Sequence, residues 1–218
     1  MNIAIILAAG SGTRFKSEIP KQYIKIGNKS IIQHTVRLFE KSLLIDEIII
    51  VVEDKYLNKV SQDNPKHTVV SGGRNRFESS YKGILACPKD CKKVLIHDAA
   101  RPLLSQEIIE SCIDHLNTYK AVVTAIPATD TVIKSKNMEV MKVEDRNQIF
   151  LNQTPQGFDY QTILNAHENR MEDVTDDISL LNLNQTTCKI IVGSKQNIKV
   201  TTSDDIQFIM NILNQKNN

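Results

Sequence analysis

Short apolar runs separated by helical patterns are the strongest constraint on the fold of this chain. Ile3–Ala9, Glu47–Val52 and Lys93–His97 are rich in β-branched residues and lack the polar alternation of a half-exposed strand. Strands of a parallel sheet have this composition because helices cover both faces of such a sheet. Further strands are predicted at Ala121–Pro127 and Cys188–Val192, and helices at Ile31–Lys41, Arg76–Ala86, Ser105–Thr118, Asp159–Arg170, Ile178–Asn184 and Ser203–Asn214. The sequence therefore predicts an α/β fold, a doubly wound, mostly parallel sheet sandwiched by helices.

Length and charge limit the classes of function. A chain of 218 residues is long enough for one large domain spanning residues 1–218. With 27 basic and 25 acidic side chains, the net charge of +2 provides no global field for nucleic acid or an anionic membrane. No apolar run reaches membrane-spanning length, no signal-peptide pattern opens the chain, and four cysteines are too few for a disulfide scaffold. We therefore expect a cytoplasmic protein with neither nucleic acid nor membrane as a partner.

The loop after the first apolar run has the composition of a phosphate site. Gly10-Ser11-Gly12-Thr13-Arg14 follows the predicted strand, and Pro20-Lys21-Gln22 comes shortly afterwards. Glycines allow backbone N–H groups to approach a phosphate closely, and Arg14, Lys16 and Lys21 can add positive charge. The glycines alone are equally compatible with an ordinary strand-to-helix turn, and the cations favour the phosphate site.

This loop matches neither of the two best-known phosphate motifs. Phe15 stands where the P-loop pattern requires its second glycine, and it also takes the third glycine position of the dinucleotide-binding fingerprint. The sequence thus indicates a phosphate loop of another class.

A second group of ionisable residues follows the strand Lys93–His97. Asp98 at this strand end can hold a divalent cation, substrate hydroxyls or a lysine, and Arg101 offers a planar fork for a phosphate monoester. An internal Asp98–Arg101 pair that closes a turn is the alternative, and the two interpretations are compatible.

Lys199 lies in a short extended pattern near the end of the chain. Asn197, Lys199 and Thr201 alternate with apolar residues and therefore share one face. A lysine held on an extended segment can stabilise transition-state charge, although a lone strand lysine is more often solvated. The acidic segment Thr175–Asp177 could hold a metal or a polyol, but capping of the next helix, with some substrate contact, is the favoured interpretation.

Residues 130–150 interrupt the alternation of strands and helices. Two β-like pieces, Thr131–Lys134 and Val140–Glu144, flank a turn at residues 136–138, which predicts a hairpin that projects from the sheet. The pattern is equally compatible with a dimerisation arm and with a surface hairpin.

Taken together, the motifs resemble the 2-C-methyl-D-erythritol 4-phosphate cytidylyltransferases and their relatives, the ribitol-5-phosphate cytidylyltransferases. The resemblance spans nearly the whole chain in the expected order and is carried by Leu7–Arg14, Pro20–Gln22, Gly72-Gly73, His97–Pro102, Pro127–Thr131, Asp145-Arg146, Gln153–Gln156, Thr175-Asp176 and Asn197–Thr201.

This resemblance implies a Rossmann-like nucleotidyltransferase that joins CTP to a polyol phosphate and releases pyrophosphate, with Mg²⁺ as cofactor. Arg14, Lys21 and Lys199 are then the catalytic cations that bind the triphosphate. The other implied nucleotide-binding residues are Ala8, Ala9, Gly10, Ser11, Gly12, Thr13, Gly73 and Ser79.

The resemblance also implies an acceptor site and a homodimer. The acceptor-binding residues are Asp98, Arg101, Thr131, Arg146 and Thr154, and the last two would reach in from a second subunit by way of the arm. Mg²⁺ would bridge triphosphate oxygens largely through water, with Asp98 as its protein carboxylate.

Three alternatives for function follow. Ala100 favours methylerythritol phosphate as acceptor, whereas the relatives that use ribitol 5-phosphate share the same catalytic groups. A nucleotide-binding module without turnover would be expected to lack a key cation, yet Arg14, Lys21 and Lys199 are all present.

Arg74 departs from the small or acidic residue that is common in the family after the glycine pair.

Overall fold

A seven-stranded sheet forms the centre of the computed structural model. The structure describes residues 1–10, 19–169 and 174–215, and for residues 214 and 215 it describes the backbone only. The strands are β1 Asn2–Ala8, β2 Lys25–Ile26, β3 Lys29–Ser30, β4 Glu47–Val52, β5 Thr68–Ser71, β6 Lys93–Asp98, β7 Ala121–Pro127, β8 Ile133–Lys136, β9 Glu139–Val143, β10 Phe150–Asp159 and β11 Cys188–Val192. The central sheet has the order β11-β7-β10-β6-β1-β4-β5. Among the described strands of this sheet, β10 alone is antiparallel to its neighbours.

Helices cover both faces of the sheet. They are α1 Ile31–Glu40, α2 Leu57–Asp63, α3 Arg76–Leu85, α4 Gln106–His115, α5 Tyr160–Glu168 and α6 Ser203–Gln215. Successive residues of β1 enter opposite cores, because side chains alternate across a strand. Ala4 and Ile6 pack with α1, α2 and α4, whereas Ile3 and Ile5 pack with α3 and α5. The predicted doubly wound, mostly parallel α/β sandwich is confirmed.

The strand order places a crevice at the carboxyl end of β1. From β1 the sheet continues to β4 and β5 on one side and to β6 on the other. Leu7 pairs with Asp98, and Ala8 pairs with Val52, so the ends of these strands lie side by side. Open α/β sheets bind their ligands where the order of the strands reverses in this way.

The predicted hairpin is present as β8 and β9, which pair with each other rather than with the central sheet. Its turn contains Asn137 and Met138, which have φ values of 51° and 66°. Two consecutive positive φ values match the tight hairpin turn whose twist fits paired strands. Both strands are exposed along their whole length.

Several elements differ from the predictions. The ten-residue strand β10, which lies between β6 and β7, was not predicted, and neither were α2 and β5. The helix predicted at Ile178–Asn184 is wrong, because the segment forms one 3₁₀ turn, Asp177–Leu180, and becomes extended at Leu181. No helix in the described part of the chain is long and apolar enough to cross a membrane.

Candidate active site

A cavity of about 540 Å³ opens at the carboxyl edge of the sheet. Eight of the predicted site residues line this cavity: Ala8, Ala9, Gly10, Lys21, Gly73, Ser79, Asp98 and Lys199. They come from both ends of the chain and from three of its strand ends. The fold therefore brings most of the predicted nucleotide and catalytic residues to one place.

Gln22 holds the chain where it leaves β1. Ser11, Gly12, Thr13 and Arg14 lie outside the described residues. The buried Gln22 side chain donates from Nε2 to the carbonyl oxygens of Ala8 at 2.7 Å and Gly10 at 3.0 Å. Gln22 belongs to the Pro-Lys-Gln motif, but the sequence alone indicates no role for it. Its amide fixes the position where the chain leaves β1.

A further part of the cavity wall is built around Gly73 and Ser79. The Ser79 hydroxyl accepts a hydrogen bond from Gly73 N at 3.0 Å and donates one to Asn75 O at 2.8 Å. A Cβ atom on Gly73 would lie 2.1 Å from Cβ of Glu78, which no side chain could occupy without movement. Backbone and a small hydroxyl thus form a narrow wall, as the close approach of a planar base requires.

Asp98 is the centre of a cationic cluster. Its Oδ2 lies 2.8 Å from Nζ of Lys199 and 3.6 Å from Nε of Arg101, and its Oδ1 lies 3.8 Å from Nε of Arg76. Burial alone would raise the pKa of this carboxyl, but the three cations, Lys199 foremost, hold the pKa of Asp98 well below its usual range. Asp98 is therefore ionised, and its main partner is the predicted catalytic lysine.

Asp98 is supported from behind by Thr154 and His97. The Thr154 hydroxyl accepts from Asp98 N at 3.1 Å and lies 3.1 Å from Nδ1 of His97. His97 Nε2 lies 3.1 Å from the carbonyl oxygen of Arg101, which can only accept, so Nε2 carries the proton and Nδ1 accepts from Thr154. Burial lowers the pKa of His97 to about 4, which keeps the ring neutral. Thr154 is fully buried and outside the cavity lining, and its hydroxyl positions Asp98 of its own chain. It differs in this from the prediction that Thr154 reaches a second subunit together with Arg146.

Arg101 pairs with Asp98 and closes the turn after β6, as the alternative interpretation of the sequence predicted. Its backbone N donates to Asp98 O at 3.1 Å, and its Nη1 donates to Asn197 O at 2.7 Å. Asn197 is itself fully buried and donates from Nδ2 to Thr154 O at 2.8 Å. Arg101 thereby ties the end of β6 to the segment that carries Lys199.

Lys21 and Lys199 approach the cavity from the same side. Lys21 Nζ donates to Val200 O at 2.5 Å, and Val200 N donates to Ala100 O at 2.8 Å. The segment around Lys199 is thus anchored to both the Lys21 turn and the loop after β6. The side chain of Lys199 retains 35% exposure, which leaves its ammonium group accessible from the cavity.

Arg76 is a site residue to which sequence reasoning assigned no role. It is the first residue of α3, lines the cavity, and lies near three carboxylates. Nη1 is 2.7 Å from Asp177, Nη2 is 3.9 Å from Asp176, and Nε is 3.8 Å from Asp98. A cation at a helix N-terminus is disfavoured by the helix dipole, and the three carboxylates offset this cost.

The acidic segment after α5 acts differently from its predicted role. Asp176 precedes the 3₁₀ turn but makes no side-chain cap, which makes the capping prediction wrong for this residue. Asp177 is fully buried, accepts from Ser80 Oγ at 2.5 Å and pairs with Arg76. The segment is therefore an electrostatic partner of the cavity wall.

Two predicted acceptor residues lie away from the cavity. Thr131 and Arg146 belong to the segment between β7 and β10, both are exposed, and neither lines the cavity. Arg146 donates from Nη1 to Thr129 O at 3.0 Å, within the same segment. The described chain thus separates these two residues from Asp98.

The described residues do not form a protein cage for Mg²⁺. Residues 1–10, 19–169 and 174–215 contain no group of three or more His, Cys, Asp or Glu side chains that could hold a metal ion. Asp98 meets cations on both carboxylate oxygens, so the metal role predicted for it finds no support in this geometry.

A mostly parallel sheet, a glycine loop after its first strand and a cation-rich cavity at its carboxyl edge define a nucleotidyltransferase of the α/β type. A model of the family described as 2-C-methyl-D-erythritol 4-phosphate cytidylyltransferase (IspD) matches residues 2–215. The chain belongs to this family, whose members are cytidylyltransferases.

Individual relatives agree with this assignment. Proteins named 2-C-methyl-D-erythritol 4-phosphate cytidylyltransferase from Alkaliphilus oremlandii and Clostridium botulinum are 40% and 39% identical, covering 96% and 94% of this chain and 93% and 94% of their own. The structure of 4-diphosphocytidyl-2C-methyl-D-erythritol synthase from Anaerococcus prevotii superposes with a TM-score of 0.87 at 31% identity, covering 98% of this chain and 96% of that one. The Francisella tularensis cytidylyltransferase structure gives a TM-score of 0.81 at 31% identity, covering 95% and 97%.

Proposed function

We propose that this chain transfers CMP from CTP to 2-C-methyl-D-erythritol 4-phosphate and releases pyrophosphate, a step of isoprenoid precursor synthesis. The observation that carries the proposal is the Lys199–Asp98 pair at 2.8 Å beside Lys21, in the cavity of a chain that belongs to this family. In this proposal Lys199 binds phosphate, and Asp98 accepts hydrogen bonds from the hydroxyl groups of the acceptor.

The chemistry needs charge stabilisation more than proton transfer. The acceptor phosphate is already anionic, so it attacks the α-phosphorus of CTP in line without a general base, and pyrophosphate leaves. Lys21 and Lys199, together with Arg14, neutralise charge that develops on the α-phosphoryl oxygens and on the leaving group. Alignment of two anions in one cavity supplies the rest of the acceleration.

The two halves of the cavity fit the two substrates. The wall formed by Ala8, Ala9, Gly73 and Ser79 receives cytosine and ribose, and backbone groups read the base. Asp98 lines the same cavity, and we assign its carboxylate to the acceptor, where it can accept hydrogen bonds from polyol hydroxyls. Thr154 fixes the backbone of Asp98 by accepting from its N, and Arg101, 3.6 Å from the carboxylate, adds positive charge for the acceptor phosphate.

The hairpin arm supports the proposal of a homodimer. Val140, Met141 and Val143 on β9 are 61%, 62% and 60% exposed, and Ile133 on β8 is 50% exposed. An exposed apolar patch of this kind is typical of an interaction surface. We assign the arm to a second copy of the chain, where Thr131 and Arg146 contact the acceptor.

Complementation tests this arrangement. Arg146→Ala and Lys199→Ala are each expected to be nearly inactive alone. If the arm acts on the second copy, mixed dimers regain turnover, because one of their two sites then carries neither substitution. If Arg146 acts within its own chain, mixing restores nothing beyond the sum of the two variants.

The proposal includes Mg²⁺ as the cofactor and the cytoplasm as the location of the protein. Since the described residues offer no cage, we assign Mg²⁺ to the triphosphate oxygens and to water, and no residue of this chain is given a step through it. A cytoplasmic location fits the use of CTP and the four free thiols.

Pyrophosphate release identifies the acceptor. The protein is incubated with CTP and Mg²⁺ and offered either methylerythritol 4-phosphate or ribitol 5-phosphate, with Lys199→Ala as the blank. We expect turnover with methylerythritol 4-phosphate and a value for kcat/KM at least 100-fold lower with ribitol 5-phosphate. Preference for ribitol 5-phosphate would overturn the acceptor and retain the reaction class, whereas no release with either would reject both acceptors.

A further inference from the structure

The three cations around Asp98 contact it unequally. Lys199 is within hydrogen-bonding distance at 2.8 Å, whereas Arg101 and Arg76 stand off at 3.6 Å and 3.8 Å. The last two distances are too long for hydrogen bonds but need less than 1 Å of closure to become so. Nε of Arg101 is buried and makes no hydrogen bond within the described chain. Arg101 approaches Oδ2, and Arg76 approaches Oδ1.

Arg76 is held in place independently of Asp98. Its Nη1 lies 2.7 Å from Oδ2 of Asp177, and the other oxygen of Asp177 accepts from Ser80 Oγ at 2.5 Å. His167 Nε2 lies 3.5 Å from the same oxygen as Ser80. Asp177 thus compensates the cost of a cation at the start of α3 and leaves the Nε edge of Arg76 directed at Asp98.

Binding of a nucleotide adds a second set of anions that compete for the ammonium group of Lys199. Triphosphate oxygens compete with Asp98 for the single ammonium group. Asp98 is only 8% exposed, so losing Lys199 would leave a nearly buried carboxylate without its partner, which is costly. A second cation that closes on Asp98 at that moment lowers this cost and strengthens nucleotide binding by the same amount.

We propose that Arg76 is a positioning residue that becomes the replacement partner of Asp98 when Lys199 turns to the phosphates of CTP. The inference rests on the proposed function, because it requires that Lys199 binds the nucleotide. It assigns to Arg76 a contribution to CTP affinity that passes through Asp98 and involves no contact with CTP.

The competing explanation is that Arg76 only braces α3 against Asp177. Both explanations predict that loss of Arg76 impairs the protein, so a single variant does not separate them. A double-mutant cycle does, because the proposed effect requires the charge of Asp98 and the brace does not.

The test measures CTP affinity by titration calorimetry, without acceptor, for the wild type, Arg76→Gln, Asp98→Asn and the double variant. We expect Arg76→Gln to weaken CTP binding by about tenfold when Asp98 is present, and by less than twofold in the Asp98→Asn background. A loss by the same factor in both backgrounds, or no loss in either, would overturn the inference. Arg37→Gln on the exposed face of α1 removes the same charge and is expected to leave CTP affinity unchanged.

Thermal melting of each variant serves as the control that it is folded. If Arg76→Gln does not fold, the same cycle is run with Arg76→Lys, which keeps the charge but cannot bridge Asp177 and Asp98 as a planar fork. About threefold weaker binding is then expected, again only in the presence of Asp98, and equal losses in both backgrounds would overturn the inference.

Failure of this inference is distinguishable from failure of the proposed function. A wild type that binds CTP and turns over methylerythritol 4-phosphate, but shows no coupling in the cycle, overturns the role of Arg76 alone. A wild type that binds CTP without turnover overturns the acceptor, and the cycle still decides on Arg76. A wild type that does not bind CTP overturns both.

Discussion

Nζ of Lys199 lies 2.8 Å from Oδ2 of Asp98, and this contact joins the end of β6 to the segment between β11 and α6. Both residues belong to walls that are fixed by backbone hydrogen bonds: Val200 N donates to Ala100 O, and Ala99 N donates to Leu7 O. The backbone on both sides of the contact is therefore fixed before any substrate arrives, so only the side chain of Lys199 has to turn toward the phosphates.

Removing Lys199 should abolish most of the turnover. We expect Lys199→Ala to lower kcat by a factor of about 10² to 10³, because one preorganised charge at the reacting phosphoryl group is lost. Pyrophosphate release at saturating CTP measures the effect. Lys195→Ala, an exposed lysine on the same loop, is the matched control and should retain wild-type kcat. Equal rates for the two variants would exclude Lys199 from the reaction.

Replacing Asn197 should reduce stability. Its buried side chain donates to Thr154 O at 2.8 Å and to Gln153 Oε1 at 3.2 Å. Asn197→Ala leaves both acceptors buried without this donor, so we expect a loss of about 2 kcal/mol in the free energy of unfolding. Urea unfolding measures it, and the exposed Asn184→Ala should change stability by less than about 0.5 kcal/mol. An unchanged free energy of unfolding for Asn197→Ala would contradict this prediction and show that Thr154 O and Gln153 Oε1 find other donors.

Gly83 lies on the face of α3 that packs against the sheet. A Cβ atom here would lie 2.5 Å from Cγ2 of Ile5 and 3.0 Å from Cγ2 of Val51. Alanine gains about 1 kcal/mol in helix propensity, but overpacking costs about 1–3 kcal/mol. We expect Gly83→Ala to be net destabilising by about 1–2 kcal/mol in denaturant unfolding. A stabilised variant would mean that α3 shifts freely, and the exposed Leu85→Ala serves as the comparison on the same helix.

Acid should destabilise the protein through His97. Burial lowers its pKa from 6.5 to about 4, so between these values the unfolded state binds a proton that the folded state does not. The contribution is neutral above pH 6.5, and stability falls as the pH drops from 6.5 to 4, by on the order of 3 kcal/mol. Urea unfolding across this window should show a shallower pH dependence for His97→Gln. An unchanged slope would assign the acid sensitivity to other groups.

The strands that were predicted correctly are those whose composition reports burial on both faces. β1, β4 and β6 are continuous apolar runs, which few other environments tolerate. β10 escaped prediction because its central residues, Gln153 to Gln156, are polar and include a proline. It becomes a strand through pairing with β6 on one side and β7 on the other, and this tertiary context is not encoded in local propensity.

The same distinction applies to the site. Asp98 and Lys199 were recognised because each follows or lies on a strand-like segment with motif neighbours. Arg76 acquires its significance from Asp98, Asp176 and Asp177, which lie far away in sequence, so its neighbours along the chain do not indicate it. The orientation of Thr154 away from the cavity depends on the irregularity of β10 between Asn152 and Gln156, which only the fold reveals.

The arm leaves and re-enters the sheet at adjacent points. Pro127 and Phe150 are register partners, and Ala128 N donates to Ile149 O at 2.9 Å. A segment whose two ends already meet can be exchanged without stretching its host. For protein engineering, residues 128–149 are therefore a cassette. Grafting this cassette between relatives would carry over whatever it recognises while the cation-lined cavity stays with the recipient scaffold.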